Sequence, residues 1–337
     1  MKGLVTTLVV AAAVAALATT VGGRAPTATG TVFVPNPVQS TGDESLTDQK
    51  DSDAAVPAAA YYTVPLTHLD GSGYLHGDYA TVYSETGKPA YSATGNFAYT
   101  RSQDQFEQVM AYYWVTQAET YLQSLGFGSK YPAINNYPYK VRIDQYGADN
   151  SFTTNHPIDE IRYGKGGVDD AEDAEVILHE YGHAIHYGQG FAFASEEAGA
   201  ISEGFGDYWA ADVSDIVAKQ LGVPEKTPFG CIADWDSTSY TSDVPHCLRR
   251  IDGNKHYPQD LVGEVHADGE IWSRALYNIH NALGHTVADT IIVNGSMNFT
   301  GTTMTQLANA TVDVAQRLYG KTTAAVVRNA FAARGIL

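Results

Sequence analysis

The sequence predicts an α+β fold in two lobes: a mixed N-terminal lobe with a twisted sheet, then a mainly helical C-terminal lobe. Three observations predict it. Segments with strand-like alternation and Tyr- and Gly-rich turns lie between Tyr61 and Tyr163. Apolar residues at helical spacing dominate from Trp272 onward. Between these regions, Val176 to His186 carries His179 and His183 four positions apart, which stacks both rings on one face of a helix.

Met1-Lys2 and the Ala- and Val-rich run to about Ala18 read as a secretory signal peptide, taken as 1–25, with an apolar core too short to span a bilayer. Residues 26–60 are rich in Pro, Ser, Thr and Asp, lack apolar periodicity, and are expected to form a disordered linker or short pro-segment. The N-terminal lobe covers 61–190. Gly71-Ser72-Gly73-Tyr74 and Tyr91-Ser92-Ala93-Thr94-Gly95 predict short strands and turns. Phe106, Met110, Tyr113, Ala118, Tyr121, Leu122 and Leu125 repeat at helical spacing, predicting a helix from about Gln103 to Leu125 that Gly126 stops. Tyr139 to Ile143 alternates like a strand, and Ile158 to Tyr163 reads as another. The C-terminal lobe, 191–337, opens with a helix carrying Glu203 and Asp207 and passes a loop-rich stretch from Gly222 to Asp260. It resumes in a helix through Trp272, Leu276 and Ile279. Two amphipathic helices close it, marked by Leu307, Val314 and Leu318 and by Val326, Ala330 and Phe331.

The chemistry concentrates in His179-Glu180-Tyr181-Gly182-His183. Two imidazoles on one helical face converge on a single metal ion, and Glu180, about 100° further round the helix, points where it reaches a metal-bound water instead. That is a metalloprotease arrangement. A catalytic zinc takes three protein ligands. Glu203, 20 positions after His183, is far enough along for a second helix to present the third, and Asp207 lies one turn beyond it, placed to orient a ligand histidine. His186 shares the face of His179 and His183, but three ligands in a row on one helix cannot surround a tetrahedral ion, so packing or support is its expected role.

These residues resemble the thermolysin-like zinc endopeptidases, and most closely the fungalysin branch and its bacterial relatives. The stretches Asp144 to Phe152, Gly166-Gly167-Val168-Asp169-Asp170 and Val265 to Trp272 support the resemblance, which covers roughly Tyr61 to the C-terminus. It implies one catalytic Zn2+ held by His179, His183 and Glu203. Glu180 would be the general base, His266 would stabilise the tetrahedral intermediate, and Asp207 would support a ligand histidine. A rival reading makes His266 and Glu270 a structural pair on one helix; Glu270 is taken as structural in either case. The resemblance also implies an edge strand on which the Asn150 side chain and the Ser151 backbone hold the substrate on its primed side, and an Arg for a substrate carbonyl, either Arg249 or Arg250. The family commonly supports the other ligand histidine with an Asn. Ser202 stands there, so this contact is expected to be lost or water-mediated. The family is also usually made with a large pro-domain, for which these residues have no room. A metzincin reading fails, since it needs Gly at His186 and His at Gln189.

A balance of 20 basic and 38 acidic residues gives −18, which disfavours nucleic acid and anionic membranes as partners. With no second long apolar run, the chain is expected to be secreted, not membrane-inserted, and monomeric, acting on polypeptides. Cys231 and Cys247, the two cysteines, are expected to form a disulfide in an exported protein. Asp169, Asp170, Glu172 and Asp173 favour a helix N-terminus, and a Ca2+ site is the second reading of the same cluster. Asn294, Asn298 and Asn309 begin glycosylation sequons. An endopeptidase is the function predicted. A zinc aminopeptidase of the same clan and a non-catalytic zinc-bearing surface protein are the alternatives, the latter requiring a defect in the motif that is absent.

Overall fold

The computed structural model describes residues 28–143, 147–223 and 226–337. The expected signal peptide and the start of the Asp144 to Phe152 stretch therefore lie outside the described residues. In chain order, β1 (Thr29–Val32), α1 (Pro37–Thr41), β2 (Tyr62–Pro65), β3 (Ala80–Ser84) and β4 (Asn96–Phe97) precede the long helix α2 (Asp104–Ser124). Then come β5 (Tyr139–Ile143), β6 (Phe152–Thr154) and β7 (Glu160–Arg162). Two helices follow, α3 (Ala174–Gly188) and α4 (Glu196–Leu221), joined to the short strands β8 (Cys231–Ile232) and β9 (Arg249–Arg250). Helices α5 (Val265–Leu283), α6 (His285–Gly295), α7 (Met304–Tyr319) and α8 (Lys321–Ala332) complete the chain.

The strands of the first half form two sheets, ordered β2-β1-β4 and β3-β5-β7-β6. In the second, β3, β5 and β7 run parallel and β6 lies antiparallel to β7 at the edge. Helix α2 is buried nearly all round: Phe106, Met110, Trp114, Ala118 and Leu122 are inaccessible to solvent, and the polar Glu107, Gln108, Thr116 and Glu119 are buried with them. The apolar core is continuous from this helix through α3 and α4 to α8. Among the described residues, no helix is long and apolar enough to cross a membrane.

The disorder expected for residues 26–60 is corrected by the structure over its described part, 28–60. β1 is the central strand of its sheet, and Val32, Phe33, Val34 and Val38 are fully buried. Two polar anchors fix the segment to the rest. Asn36 Nδ2 donates to Asp173 at 3.1 Å and Asp234 at 2.6 Å, and Arg101 Nη1 donates to the Asp48 carbonyl at 2.6 Å. A handful of apolar side chains carry this burial, too few to leave a periodic signal in a Pro- and Ser-rich stretch.

Local chemistry starts each helix near the cleft. The Asp173 side chain caps α3 by accepting from the Glu175 N–H, Ser195 caps α4 through Ala198, and Glu264 caps α5 through His266 and Ala267. Helices α3 and α4 cross at Gly182 and Gly206. A Cβ on Gly182 would sit 2.9 Å from the Gly206 Cα, and one on Gly206 would sit 2.8 Å from His179 Nδ1. Only glycine permits this backbone approach, which brings one face of α3 against the turn of α4 that carries Glu203 and Asp207.

Candidate active site

The crossing of α3 and α4 gathers His179, His183, Glu203 and Asp207 at one point. Nε2 of His179 lies 3.2 Å from Glu203 Oε2, and Nε2 of His183 lies 3.5 Å from Glu203 Oε1. The opposite ring nitrogens are held from behind: His179 Nδ1 is 2.8 Å from Asp207 Oδ1, and His183 Nδ1 is 2.8 Å from Ser202 Oγ. With Nδ1–H donating to Asp207 and Ser202, both Nε2 lone pairs face the Glu203 carboxylate, and Glu203 Oε2 is buried without a hydrogen-bond partner. Lone pairs aimed at an orphaned carboxylate oxygen repel unless a cation lies between them. Around a tetrahedral zinc with bonds of about 2.0–2.1 Å, ligand atoms stand roughly 3.3 Å apart, which the two separations bracket. The residues fit such an ion.

The electrostatics agree. Burial alone would disfavour a charged His179, but the Asp207 and Glu203 carboxylates, accepting from its ring, override it and raise the imidazole to about 10, so a cation, whether a proton or a metal ion, is favoured between Nε2 and Glu203. Burial likewise opposes charge on Asp207, and Arg249 with His179 outweighs it, holding the carboxyl down at about 2. Glu203, against the same burial, is held well below the usual range by His183 and His179. This is a place that draws positive charge.

Glu180 also brings a carboxylate oxygen within 4.8 Å of both imidazoles. Its setting differs from that of Glu203. Glu180 Oε2 accepts from Thr153 Oγ1 at 2.8 Å, and the same hydroxyl contacts the Glu180 carbonyl at 2.9 Å, so β6 steers this carboxylate into the cleft. Thr153 was not singled out in the sequence, although it sits two positions past Ser151 on the predicted edge strand.

Ser202 corrects an expectation. The shorter side chain keeps the direct contact with His183, because its helix lies close, and Ser202 Oγ is also 3.0 Å from Nδ1 of His186. His186 is buried, stacked between Phe191 and Phe205, and burial lowers it well below its ordinary value, so it is neutral. The hydroxyl accepts from His183 and donates to His186, which makes His186 a support for the site.

The structure separates the two arginines. Arg249 Nε and Nη2 clamp Asp207 at 2.7 Å each and line the cleft, whereas Arg250 turns to Asp252 at 2.7 Å. The disulfide Cys231–Cys247 is formed, and the β8–β9 ribbon pairs Ile232 with Arg249. His266 stands at the mouth of the cleft, with Nε2 3.4 Å from Glu203 Oε2 and Nδ1 2.6 Å from Glu264 Oε1. Glu270 faces away, accepting from the Arg250 N–H and pairing with Lys255. Asn150 and Ser151 line the cleft, and the Ser151 hydroxyl donates to Asp170. Of the acidic residues before α3, Glu172 is paired with Arg101 and Asp173 caps the helix.

Fold and site together define a metallopeptidase. Residues 190–336 match the family model described as Thermolysin metallopeptidase, alpha-helical domain. Among solved structures, a similar one is the "Precursor of Protealysin, Metalloproteinase from Serratia proteamaculans". It is 19% identical, with a TM-score of 0.55 over 76% of this chain and 87% of that one, a likeness that shows the fold. No match exists among curated proteins. The helical lobe thus matches that of the thermolysin metallopeptidases, and the two lobes together share the fold of a metalloproteinase.

Proposed function

We propose that this chain is a secreted zinc metalloendopeptidase of the fungalysin type that cuts internal bonds of extended polypeptides. The observation that carries the reading is the orphaned Glu203 oxygen facing two imidazole lone pairs, with Glu180 beside them on a separate tether. His179, His183 and Glu203 would hold the ion. Bound there, zinc supplies a Lewis acid that polarises the scissile carbonyl and makes water a nucleophile near neutral pH. Glu180, oriented by Thr153, takes the proton of the attacking water and returns it to the leaving amine. His266, at the cleft mouth, donates to the oxyanion as it develops. Arg249 fixes Asp207 and so the tautomer of His179, and its position on the cleft wall favours it over Arg250 for the substrate carbonyl. The edge of β6 not paired with β7 offers backbone groups to an extended peptide in the manner of an added strand, with Asn150 and Ser151 at its start. Secretion rests on the apolar run after Met1-Lys2.

The test is hydrolysis of an internally quenched, end-blocked peptide. Wild type is expected to cut it and to stop when zinc is chelated, while Glu180→Gln keeps stoichiometric zinc and loses at least about 100-fold in kcat, as removal of a general base requires. Wild-type turnover by Glu180→Gln refutes the mechanism. Cleavage confined to substrates with a free amine points to the aminopeptidase reading.

A further inference from the structure

We infer that the inner end of the cleft is a subsite for a basic side chain of the substrate, a lysine or arginine flanking the scissile bond, recognised by Asp170 and Asp236; the inference rests on the peptidase reading above. The cavity that exposes His179, His183 and Glu203, about 400 Å³ in volume, continues past Ser151 to these two carboxyls. Oxygens of Asp149, Asp170 and Asp236 come within 4.8 Å of one another. Asp170 is 1% and Asp236 3% exposed, and Oδ1 of each has no hydrogen-bond partner. Neighbouring carboxylates this deep require a counter-charge or a proton.

The nearby cations are committed elsewhere. Arg249 is clamped on Asp207, and Arg101 on Glu172. Burial and the neighbouring carboxyls push Asp170 up to about 8 and Asp236 well above the usual range, so the charged form of each is disfavoured unless a cation joins them. An ammonium or guanidinium entering from the substrate supplies both the donors and the charge the pair lacks. Val176, Ile232 and Leu248 line the approach and give the methylenes of a long basic side chain an apolar sheath. A hard metal ion is the poorer occupant. It asks for about six to eight oxygens, and two of the three carboxyls already accept from hydroxyls, Asp149 from Tyr240 at 2.6 Å and Asp170 from Ser151.

The test uses the zinc-loaded chain and matched end-blocked, internally quenched peptides that differ only in the residues flanking one bond. Wild type is expected to prefer Lys or Arg over Leu in one flanking position by roughly 10- to 100-fold in kcat/KM, the scale of hydrogen bonds to a charged group. Asp236→Asn, with Asp149→Asn as a second, more exposed variant, is expected to collapse that ratio, the Leu peptide reporting whether each variant is folded. Cleavage without basic preference overturns the inference and leaves the peptidase reading standing, whereas no cleavage of any peptide overturns both. A full Lys preference in both variants also refutes it. So does a rise in Tm with millimolar Ca2+ that Asp236→Asn abolishes, since that identifies an ion site.

Discussion

Replacing Ser202 with Ala removes one oxygen that two buried imidazoles share. His183 Nδ1 lies 2.8 Å and His186 Nδ1 3.0 Å from that oxygen, and Ser202 is only 1% exposed, so no water replaces it without rearrangement. Each nitrogen left unpaired costs about 1–3 kcal/mol, which puts the variant about 2–4 kcal/mol below wild type after partial relaxation. At roughly 2.1 cal/mol/K of unfolding entropy per residue, a chain of this size loses about 3–6 °C in Tm. The second consequence is specific to the site. Without an acceptor behind Nδ1, His183 is no longer fixed with its Nε2 lone pair forward, and loss of such a support weakens zinc binding about 10- to 100-fold. Competition against a chromophoric chelator measures the zinc affinity, and differential scanning calorimetry of the metal-free chain measures the stability. Ser202→Asn, the longer side chain that relatives commonly carry, restores an acceptor for His183 and is expected to recover zinc affinity. Unchanged zinc affinity in Ser202→Ala refutes the relay, because a merely structural serine changes stability alone.

Two further outcomes follow from charges outside the ligand set. Arg249→Met strands Asp207, whose side chain is 1% exposed, and is expected to cost about 3–5 kcal/mol in urea unfolding. Arg250→Met breaks a partly exposed pair with Asp252 and costs less than about 1 kcal/mol, so equal losses overturn the assignment of Arg249 to the site. At the far end of α4, hydrogen bonds to Asp212 and Asp215 raise His285 from 6.5 to about 10. A raised pKa means the stabilisation is complete below about 6.5 and disappears as pH climbs through 10. Wild type is therefore expected to lose urea resistance between pH 7 and 10 more steeply than His285→Gln, and parallel pH profiles refute this origin.

The legible parts of the sequence were those in which one period or one motif decides the structure. Helix α2 spans Asp104–Ser124 against an expectation of Gln103 to Leu125, because apolar residues such as Phe106, Met110, Tyr113, Ala118 and Leu122 recur at helical spacing. His179 and His183 share a face by helix geometry alone, and Glu203 and Asp207 repeat the argument on α4. Residues 28–60 were misjudged because what buries them is not local. Asn36 reaches Asp173 and Asp234 across 137 and 198 positions, distances at which a Pro- and Ser-rich segment gives no sign of its partners.

Arg249 and Arg250 show where sequence reasoning stops. They are adjacent, chemically identical, and equally compatible with an arginine for the substrate. Strand alternation sends neighbouring side chains to opposite faces, so one must meet α4 and the other must not. Which one depends on the register of the β8–β9 ribbon, Cys231 opposite Arg250 and Ile232 opposite Arg249. The Cys231–Cys247 bridge, joining β8 to the chain two residues before β9, braces that ribbon. A one-residue slip would exchange the two arginines and leave Asp207 buried without its partner. The disulfide thus acts on the site at a distance, by fixing the register that places Arg249 behind Asp207 and Asp207 behind His179.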